Sequence, residues 1–267
     1  MADTLVPRPA STVVTLRDAP RGFEVLMVRR NLRSEFVGGA YVFPGGALDA
    51  SDADPIWATR VRGLDDAAAS SRLALASGGL AYFVAGLREL FEEAGLLIAC
   101  DERGVAVTLD DPASRSRLAA RRRDLNTGAT TLANILADEE LWLDLTRVGY
   151  LAHWVTPVGM VRRYDTRFLV AATPPGQVAA HDEGETVDSR WLRPYEALEA
   201  SERGQMTIIL PTQRTLASIA DFATVAEVLG HVRTLGEVVR IEPRLVVRDG
   251  VATPVAPGDP GYDDAGD

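Results

Sequence analysis

Three glutamates, Glu89, Glu92 and Glu93, are spaced i, i+3 and i+4, which on a helix brings them to one face. Each like-charge pair so placed costs roughly a few tenths of a kcal/mol. A divalent cation relieves that repulsion, and hard magnesium or manganese ions prefer carboxylate oxygens while keeping waters for substrate phosphates. Arg88 stands four residues before Glu92 and can pair with it or with another of the three. Upstream, Phe43-Pro44-Gly45-Gly46 makes a tight turn whose backbone can approach a ligand closely, because glycine carries no Cβ, and Asp52 follows it. The plainer alternative for three helical glutamates is a solvated acidic face. The Gly-Gly turn, the acidic residue behind it and the run Arg88-Glu89-Leu90-Phe91-Glu92-Glu93-Ala94-Gly95-Leu96 together argue against that alternative.

These residues need a helix and a sheet to hold them. Residues 80–95 read as the helix: Val84, Leu87, Phe91 and Ala94 recur at helical spacing and Gly95 offers a stop. A short buried strand is predicted over 96–99. Before the turn, 12–16 and 24–29 are β-rich runs joined by a hairpin turn over 18–22, and 40–43 is a third short run. Residues 50–79 read as an inserted segment with some helix and no strand. Helices are predicted over 113–126, 131–143, 212–221 and 224–234, and strands over 146–155, 166–172 and 186–191, with a β-like run over 238–247. Strands, one acidic helix, more strands and later helices give an α/β layout with helices packed on mixed sheets. Residues 8–250 read as one domain, with insertions at about 53–79 and 101–145. Residues 251–267 read as a surface-hugging or flexible tail.

Composition narrows the function classes. Of 267 residues, 46% are apolar and 25% charged, the balance of a protein with a substantial core. The net charge of −10 and pI near 4.9 argue against sequence-independent nucleic-acid binding, but admit an anionic small molecule where a metal and a few arginines make the site locally positive. The single Cys100 excludes an intrachain disulfide and fits a reducing compartment. The N-terminus does not read as a secretory signal, and no apolar run is long enough to predict a membrane span. A cytoplasmic protein is the expectation.

The motif resembles the box of the Nudix hydrolase family: glycine, five residues, glutamate, seven residues, then Arg-Glu-apolar-any-Glu-Glu-any-Gly-apolar. Gly46 fits the leading glycine, and Arg88, Glu89, Glu92, Glu93, Gly95 and Leu96 fit the second half unchanged. Asp52 stands where the first glutamate belongs, and residues 53–87 replace the seven-residue spacer. Such an insertion is tolerable because loop-closure cost grows slowly with length. The resemblance implies a Nudix α/β/α sandwich with mixed sheets and extra helices. It implies that Glu92 and Glu93, usually with Glu89, coordinate Mg2+ or Mn2+, that Arg88 braces a glutamate, and that Asp52 supports from further out. It also implies hydrolysis of a nucleoside diphosphate-linked small molecule, with a homodimer possible.

The interrupted box, with Trp154-Val155-Thr156-Pro157, the 162–168 run and Trp191-Leu192-Arg193-Pro194, resembles the branch containing peroxisomal coenzyme A diphosphatases. Coenzyme A or an acyl-coenzyme A is therefore the favoured substrate. Other Nudix coenzyme A hydrolases carry an Arg-Ser-x3-Arg-x3-Gly signature; here Arg30 fits its first arginine, Asn31 and Glu35 depart from it, and Arg33 is a nearby substitute. ADP-ribose, NADH and dinucleoside polyphosphates are the alternatives, and a non-catalytic nucleotide sensor is the alternative of another class.

Further candidates lie downstream. Glu183 or, preferably, Glu185 is read as general base or extra metal ligand, against an ordinary polar turn. Arg163, with Arg162 and Arg167, is read as a grip for a diphosphate or 3′-phosphate, against a charged hairpin at a sheet edge. Arg115, Arg117, Arg121, Arg122 and Arg123 read as a solvated helix face. The scattered His153, His181 and His231 suggest no zinc triad, and Cys100 reads as buried filler.

Overall fold

In the computed structural model, which describes residues 5–32, 38–180, 186–248 and 250–265, the N-terminal β-rich runs form one hairpin. Its strands, β1 (Arg8–Ala19) and β2 (Gly22–Arg30), are longer than the sequence pattern suggests. They pair down to Ala19 and Gly22, leaving Pro20 and Arg21 as the whole turn. Gly22 sits at φ +102°, a backbone state that costs glycine little. The chain continues through β3 (Tyr41–Val42) and β4 (Gly45–Ala47), then a 3-10 turn, Ala50–Ala53. After these come α1 (Trp57–Arg60), β5 (Val61–Arg62), α2 (Asp66–Arg72) and α3 (Gly79–Ala94). The segment expected to hold some helix and no strand thus contains two helices and one two-residue strand.

The acidic helix α3 matches its expected span. Its N-terminal N–H groups are satisfied from α2: Asp66 accepts from Gly78 and Leu80, and Ser70 Oγ from Gly79. Gly95, at φ +70°, ends it with its N–H on the Phe91 carbonyl. Leu96–Ile98 then run buried, and only β6 (Ala99–Cys100) pairs as a strand. Next come α4 (Pro112–Asn126), α5 (Leu132–Asp138) and β7 (Trp142–Asp144). The single helix expected over 131–143 therefore stops early. Glu140 takes φ +54°, and Trp142 and Leu143 pair with Cys100 and Ala99 while Leu143 also meets Val61. Long-range pairing overrides local helical preference there.

The remaining strands are β8 (Val148–Val155), β9 (Tyr164–Ala172) and β10 (Thr186–Leu192). They are followed by α6 (Pro194–Glu202), α7 (Leu210–Ile219), α8 (Val225–Thr234) and β11 (Arg240–Ile241). Sequence reading passed over α6, although Pro194 in its first turn and Glu196, bonded to the Arg193 N–H, mark a helix start. The β-like 238–247 run splits into β11 and β12 (Arg244–Arg248), which pairs with β13 (Val251–Val255) as a separate hairpin.

The main sheet is mixed, in the order β10-β2-β1-β9-β8-β11, with β3 on β2 and β4 on β1. Strand alternation gives it two apolar faces. Val13, Leu26, Leu169 and Ala171 pack against α3 and the small β5-β7-β6 sheet. Val14, Leu16, Val25, Met27 and Val170 pack against α7 and α8 through Leu216, Ile219 and Val228. Helices cover both faces, which makes an α/β/α sandwich. Among the described residues no helix is long and apolar enough to cross a membrane.

Candidate active site

The Gly-Gly turn is wedged between β1 and α3. Ser11 and Thr12 pair with Gly46 and Gly45, and Thr12 Oγ1 donates to the Phe43 and Pro44 carbonyls at 3.1 and 2.6 Å. A Cβ on Gly45 would lie 2.5 Å from the Ser11 carbonyl oxygen, and one on Gly46 would lie 2.4 Å from Glu89 Oε1. At Gly45 the clash is with backbone that has little room to yield, and at Gly46 it is with the movable end of Glu89 on the acidic helix. The Gly45 N–H in turn donates to Glu93 Oε2 at 3.0 Å.

Arg88 organises the acidic side of the site. Its Nε and Nη2 bind Asp52 Oδ1 and Oδ2, both at 2.9 Å, and Nη2 also donates to the Ala47 carbonyl. Nη1 donates to Glu89 Oε1 at 2.9 Å and Glu92 Oε2 at 2.8 Å. The Asp52 side chain is 1% exposed and that of Arg88 7%, so this fork–fork pair is desolvated and directional. Burial disfavours the Arg88 cation, but the Asp52 hydrogen bonds and the charges of Glu89, Asp52 and Glu92 outweigh it and raise its pKa. Burial also raises the Glu92 pKa, against the lowering influence of Arg88. Asp52 thus reaches across the 53–87 segment to hold the arginine that holds the glutamates. Shortening glutamate to aspartate at this position still leaves a bidentate partner.

The turn and α3 line one side of a cleft of about 490 Å3. Of the residues singled out from sequence, Arg30, Gly45, Gly46, Arg88, Glu89, Glu92 and Glu93 all border it. Arg33, Glu183 and Glu185 lie outside the described residues. The segment before Glu183 is tethered beside the acidic helix, with Ala180 N–H on the Ala94 carbonyl and Arg122 on the Ala180 carbonyl. The segment after Glu185 resumes at Thr186, paired with Arg30.

Arg163 does not line the cleft. Its guanidinium, 5% exposed, is committed to the Thr156 and Leu5 carbonyls and to Glu242. It pins the N-terminal segment to the end of β8, and its reading as a substrate grip is corrected accordingly. Arg167 is likewise buried on the α3 side of β9, stacked 5.5 Å over Tyr82 and bonded to His153 and the Tyr150 hydroxyl. His153 in turn bonds Asp165 at 2.7 Å. Burial works against the Asp165 carboxylate, but His153 and Arg167 win and hold its pKa below the ordinary value. Alternation along β9 explains this: Asp165 and Arg167 face away from the cleft, and Tyr164, Thr166 and Phe168 line it. Those three, with Thr12, Asn126 and Thr212, were missed by the sequence reading, and period-two alternation was the signal that could have found Tyr164 and Thr166.

Arg122 departs from the solvated face expected of α4. Its Nε donates to the Glu92 carbonyl at 2.8 Å and its Nη1 to that of Ala180, while Asn126 also reaches the Glu92 carbonyl. Arg117 and Arg121 instead pair with Glu139 and Asp138 at the C-terminal end of the next helix. Cys100 is buried and its thiol pKa is pushed up by burial, as suits a packing residue.

Three carboxylates on one wall of the cleft, beside backbone carbonyls, form a hard-oxygen donor set of the kind magnesium and manganese take. In the present side-chain arrangement, Glu89 and Glu92 are engaged by Arg88 and Glu93 by the Gly45 N–H. Among the described residues no three acidic, histidine or cysteine side chains converge as a metal cage. The donors fit such an ion in chemical type, while their present arrangement does not gather three of them around one point.

Comparison with known proteins extends this picture. The family described as NUDT19 Nudix domain matches residues 2–217. The acyl-coenzyme A diphosphatase NUDT19 of Xenopus laevis is 26% identical over 237 residues, covering 77% of this chain and 62% of that protein. Its Homo sapiens counterpart is 26% identical over 254 residues, covering 82% of this chain and 67% of that protein. The chain thus spans about three-fifths of the length of the first of these relatives. A crystal structure of a Nudix hydrolase from Alicyclobacillus acidocaldarius superposes with a TM-score of 0.69 at 29% identity, covering 87% of this chain and 98% of that one. The fold expected from the motif is the fold found.

Proposed function

Because this chain belongs to the NUDT19 Nudix domain family, we propose that it hydrolyses the diphosphate of a nucleoside diphosphate-linked substrate, with coenzyme A or an acyl-coenzyme A as the preferred class. One observation carries the reading: a buried Arg88–Asp52 pair holds Glu89 and Glu92 on the side of a cleft that the Gly45-Gly46 turn also lines.

Glu89, Glu92 and Glu93 would hold Mg2+ or Mn2+, which when bound neutralises diphosphate charge and lowers the pKa of a coordinated water. Arg88 keeps Glu89 and Glu92 oriented and offsets their mutual repulsion. The Gly45 N–H orients Glu93, and the absence of side chains at Gly45 and Gly46 lets the diphosphate approach the backbone. Arg30, which lines the cleft, is the group proposed to meet the nucleotide's own phosphate. A glutamate takes the proton from the attacking water. Glu185 or Glu183 is proposed for that step, since Ala180 before them is tied to the end of the acidic helix and Thr186 after them pairs with the cleft residue Arg30. The new P–O bond forms from that water, the bond from phosphorus to the bridging oxygen breaks, and for coenzyme A the products are a 3′,5′-nucleotide and a phosphopantetheine.

The test is a panel of coenzyme A, acetyl-coenzyme A, ADP-ribose, NADH and diadenosine polyphosphates with magnesium or manganese, run alongside Glu92→Gln and Glu93→Gln. Coenzyme A cleavage that both variants abolish supports the whole reading. Cleavage of another member alone keeps the chemistry and replaces the substrate. Nucleotide binding without turnover by the wild type replaces the enzyme with a sensor.

A further inference from the structure

Beside the cleft, and sharing Asp49, Arg88, Glu92 and Leu125 with it as common wall, lies a side chamber of about 200 Å3. Its other walls come from two places. Ser51 and Asp52 close the first half of the box motif, and Asp54 and Trp57 open the segment that interrupts it; Gly128, Thr130, Thr131, Leu132 and Ala133 form the turn from α4 into the start of α5. We propose that this chamber is the subsite for the uncharged, amide-bearing arm attached to the diphosphate, and that the nucleotide half runs the opposite way, toward Arg30. This rests on the coenzyme A reading above and deepens it.

Charge decides which half enters. Four carboxylates border the chamber, Asp49, Asp52, Asp54 and Glu92, and the one cation among its described lining residues is Arg88. Every nitrogen of that guanidinium is already engaged, with Asp52, Glu89, Glu92 and the Ala47 carbonyl. A phosphate pushed in here would lose its hydration and meet carboxylates, an outcome that low-dielectric surroundings make costly. An uncharged chain meets no such barrier.

The remaining chemistry matches a chain of amides and methylenes. Trp57, Leu125, Leu132 and Ala133 supply apolar wall. The Trp57 indole is buried and held by its N–H on the Ser51 carbonyl at 2.7 Å, so that wall is rigid. The carboxylates and the hydroxyls of Ser51, Thr130 and Thr131 supply acceptors for amide N–H groups. The chamber has room for roughly seven water-sized groups, enough for part of a pantetheine-like arm and too little for a second nucleoside.

Two substitutions fill the chamber from opposite walls: Ser51→Trp, at an exposed position, and Ala133→Phe, on α5. Each is measured against coenzyme A and against an analogue with the same nucleotide and diphosphate but a methyl group in place of the arm. The wild type should prefer coenzyme A, and each variant should raise KM for coenzyme A by about tenfold, the size of effect one misplaced group has in a pocket, with kcat and the methyl analogue changed by less than about twofold. Unchanged coenzyme A kinetics, or an equal loss on both substrates, would overturn the assignment. If Ala133→Phe fails to fold, the exposed Ser51→Trp carries the test alone. A wild type that cleaves the methyl analogue as well as coenzyme A sinks the subsite and leaves the diphosphatase reading standing. A wild type that cleaves neither removes both.

Discussion

Two buried arginines, Arg88 and Arg167, sit on the same side of the main sheet and do different work. Arg88 springs from α3, and its guanidinium spans a buried aspartate and two cleft glutamates. Arg167 springs from β9 and is spent on His153, Tyr150 and the Tyr82 ring, with Asp165 behind them. Both are charge networks in low-dielectric surroundings, where a satisfied group rigidifies and an orphaned one is costly. One network ends at the cleft; the other turns back toward Asp165 and, among the described residues, leaves Arg167 Nε without a hydrogen bond. The difference teaches that a buried arginine in a phosphate-handling fold is a candidate for function only when its partners, or their partners, reach the open space.

The sharpest way to break this comparison is Arg88→Ala. It strands the Asp52 carboxylate in the interior, and removing one partner of a buried pair costs about 3–5 kcal/mol. Hydrolysis should fall on the order of 10²-fold or more, because Glu89 and Glu92 lose their brace. Thermal unfolding and kcat/KM should drop together; full activity would show that the glutamates need no arginine.

Gly46→Ala is next. The new Cβ meets the end of a flexible side chain, Glu89, so Tm should hold within about 2 °C. Displacing that carboxylate should nevertheless lower kcat/KM by about tenfold or more. A normal rate would detach Glu89 from the reaction. Gly45→Ala offers the contrast, since its Cβ meets the β1 backbone and should cost stability first.

Arg167→Met should reverse the pattern seen at Arg88. Losing its charged hydrogen bonds should cost about 2 kcal/mol, while KM and kcat of the folded protein change less than about twofold. A large rise in KM would return Arg167 to the substrate and end the distinction drawn here.

The smallest effect concerns pH. Asp165 has its pKa lowered from 3.8 by His153 and Arg167 against the opposing effect of burial. A carboxylate with a depressed folded pKa contributes stability that is present above its unfolded value and lost as pH falls through the folded one. Asp165→Asn should therefore lower Tm by about 2–4 °C near neutral pH, and the gap should close below pH 3.8. A gap that widens toward acid would put the protonation logic of this network in the opposite sense.

Much of the site was legible because its signals are local. Glu89, Glu92, Glu93 and Arg88 lie within two helical turns, Gly95 stops the helix, and Gly45-Gly46 marks a close approach; each depends on spacing alone, and all but Gly95 border the cleft. The helix at Leu210–Ile219 and the one at Val225–Thr234 were readable for the same reason. The helix Pro194–Glu202 carried a readable start signal that was passed over. What failed was long-range. Nothing local in Trp142 and Leu143 announces that they leave helix to pair with Ala99 and Cys100, or that Val251–Val255 will pair with its neighbour strand.

By itself, then, the sequence determined the acidic helix and the glycine turn, because side-chain period and glycine's lack of a Cβ act within a few residues. Only the tertiary structure decided which arginines matter. Asp52 meets Arg88 across 36 positions of chain, Arg122 crosses from α4 to the end of the acidic helix, and Arg163 is spent on Leu5 and Glu242. A guanidinium has a long reach and five donors, so its partners are set by the elements packed around it and not by its neighbours in sequence.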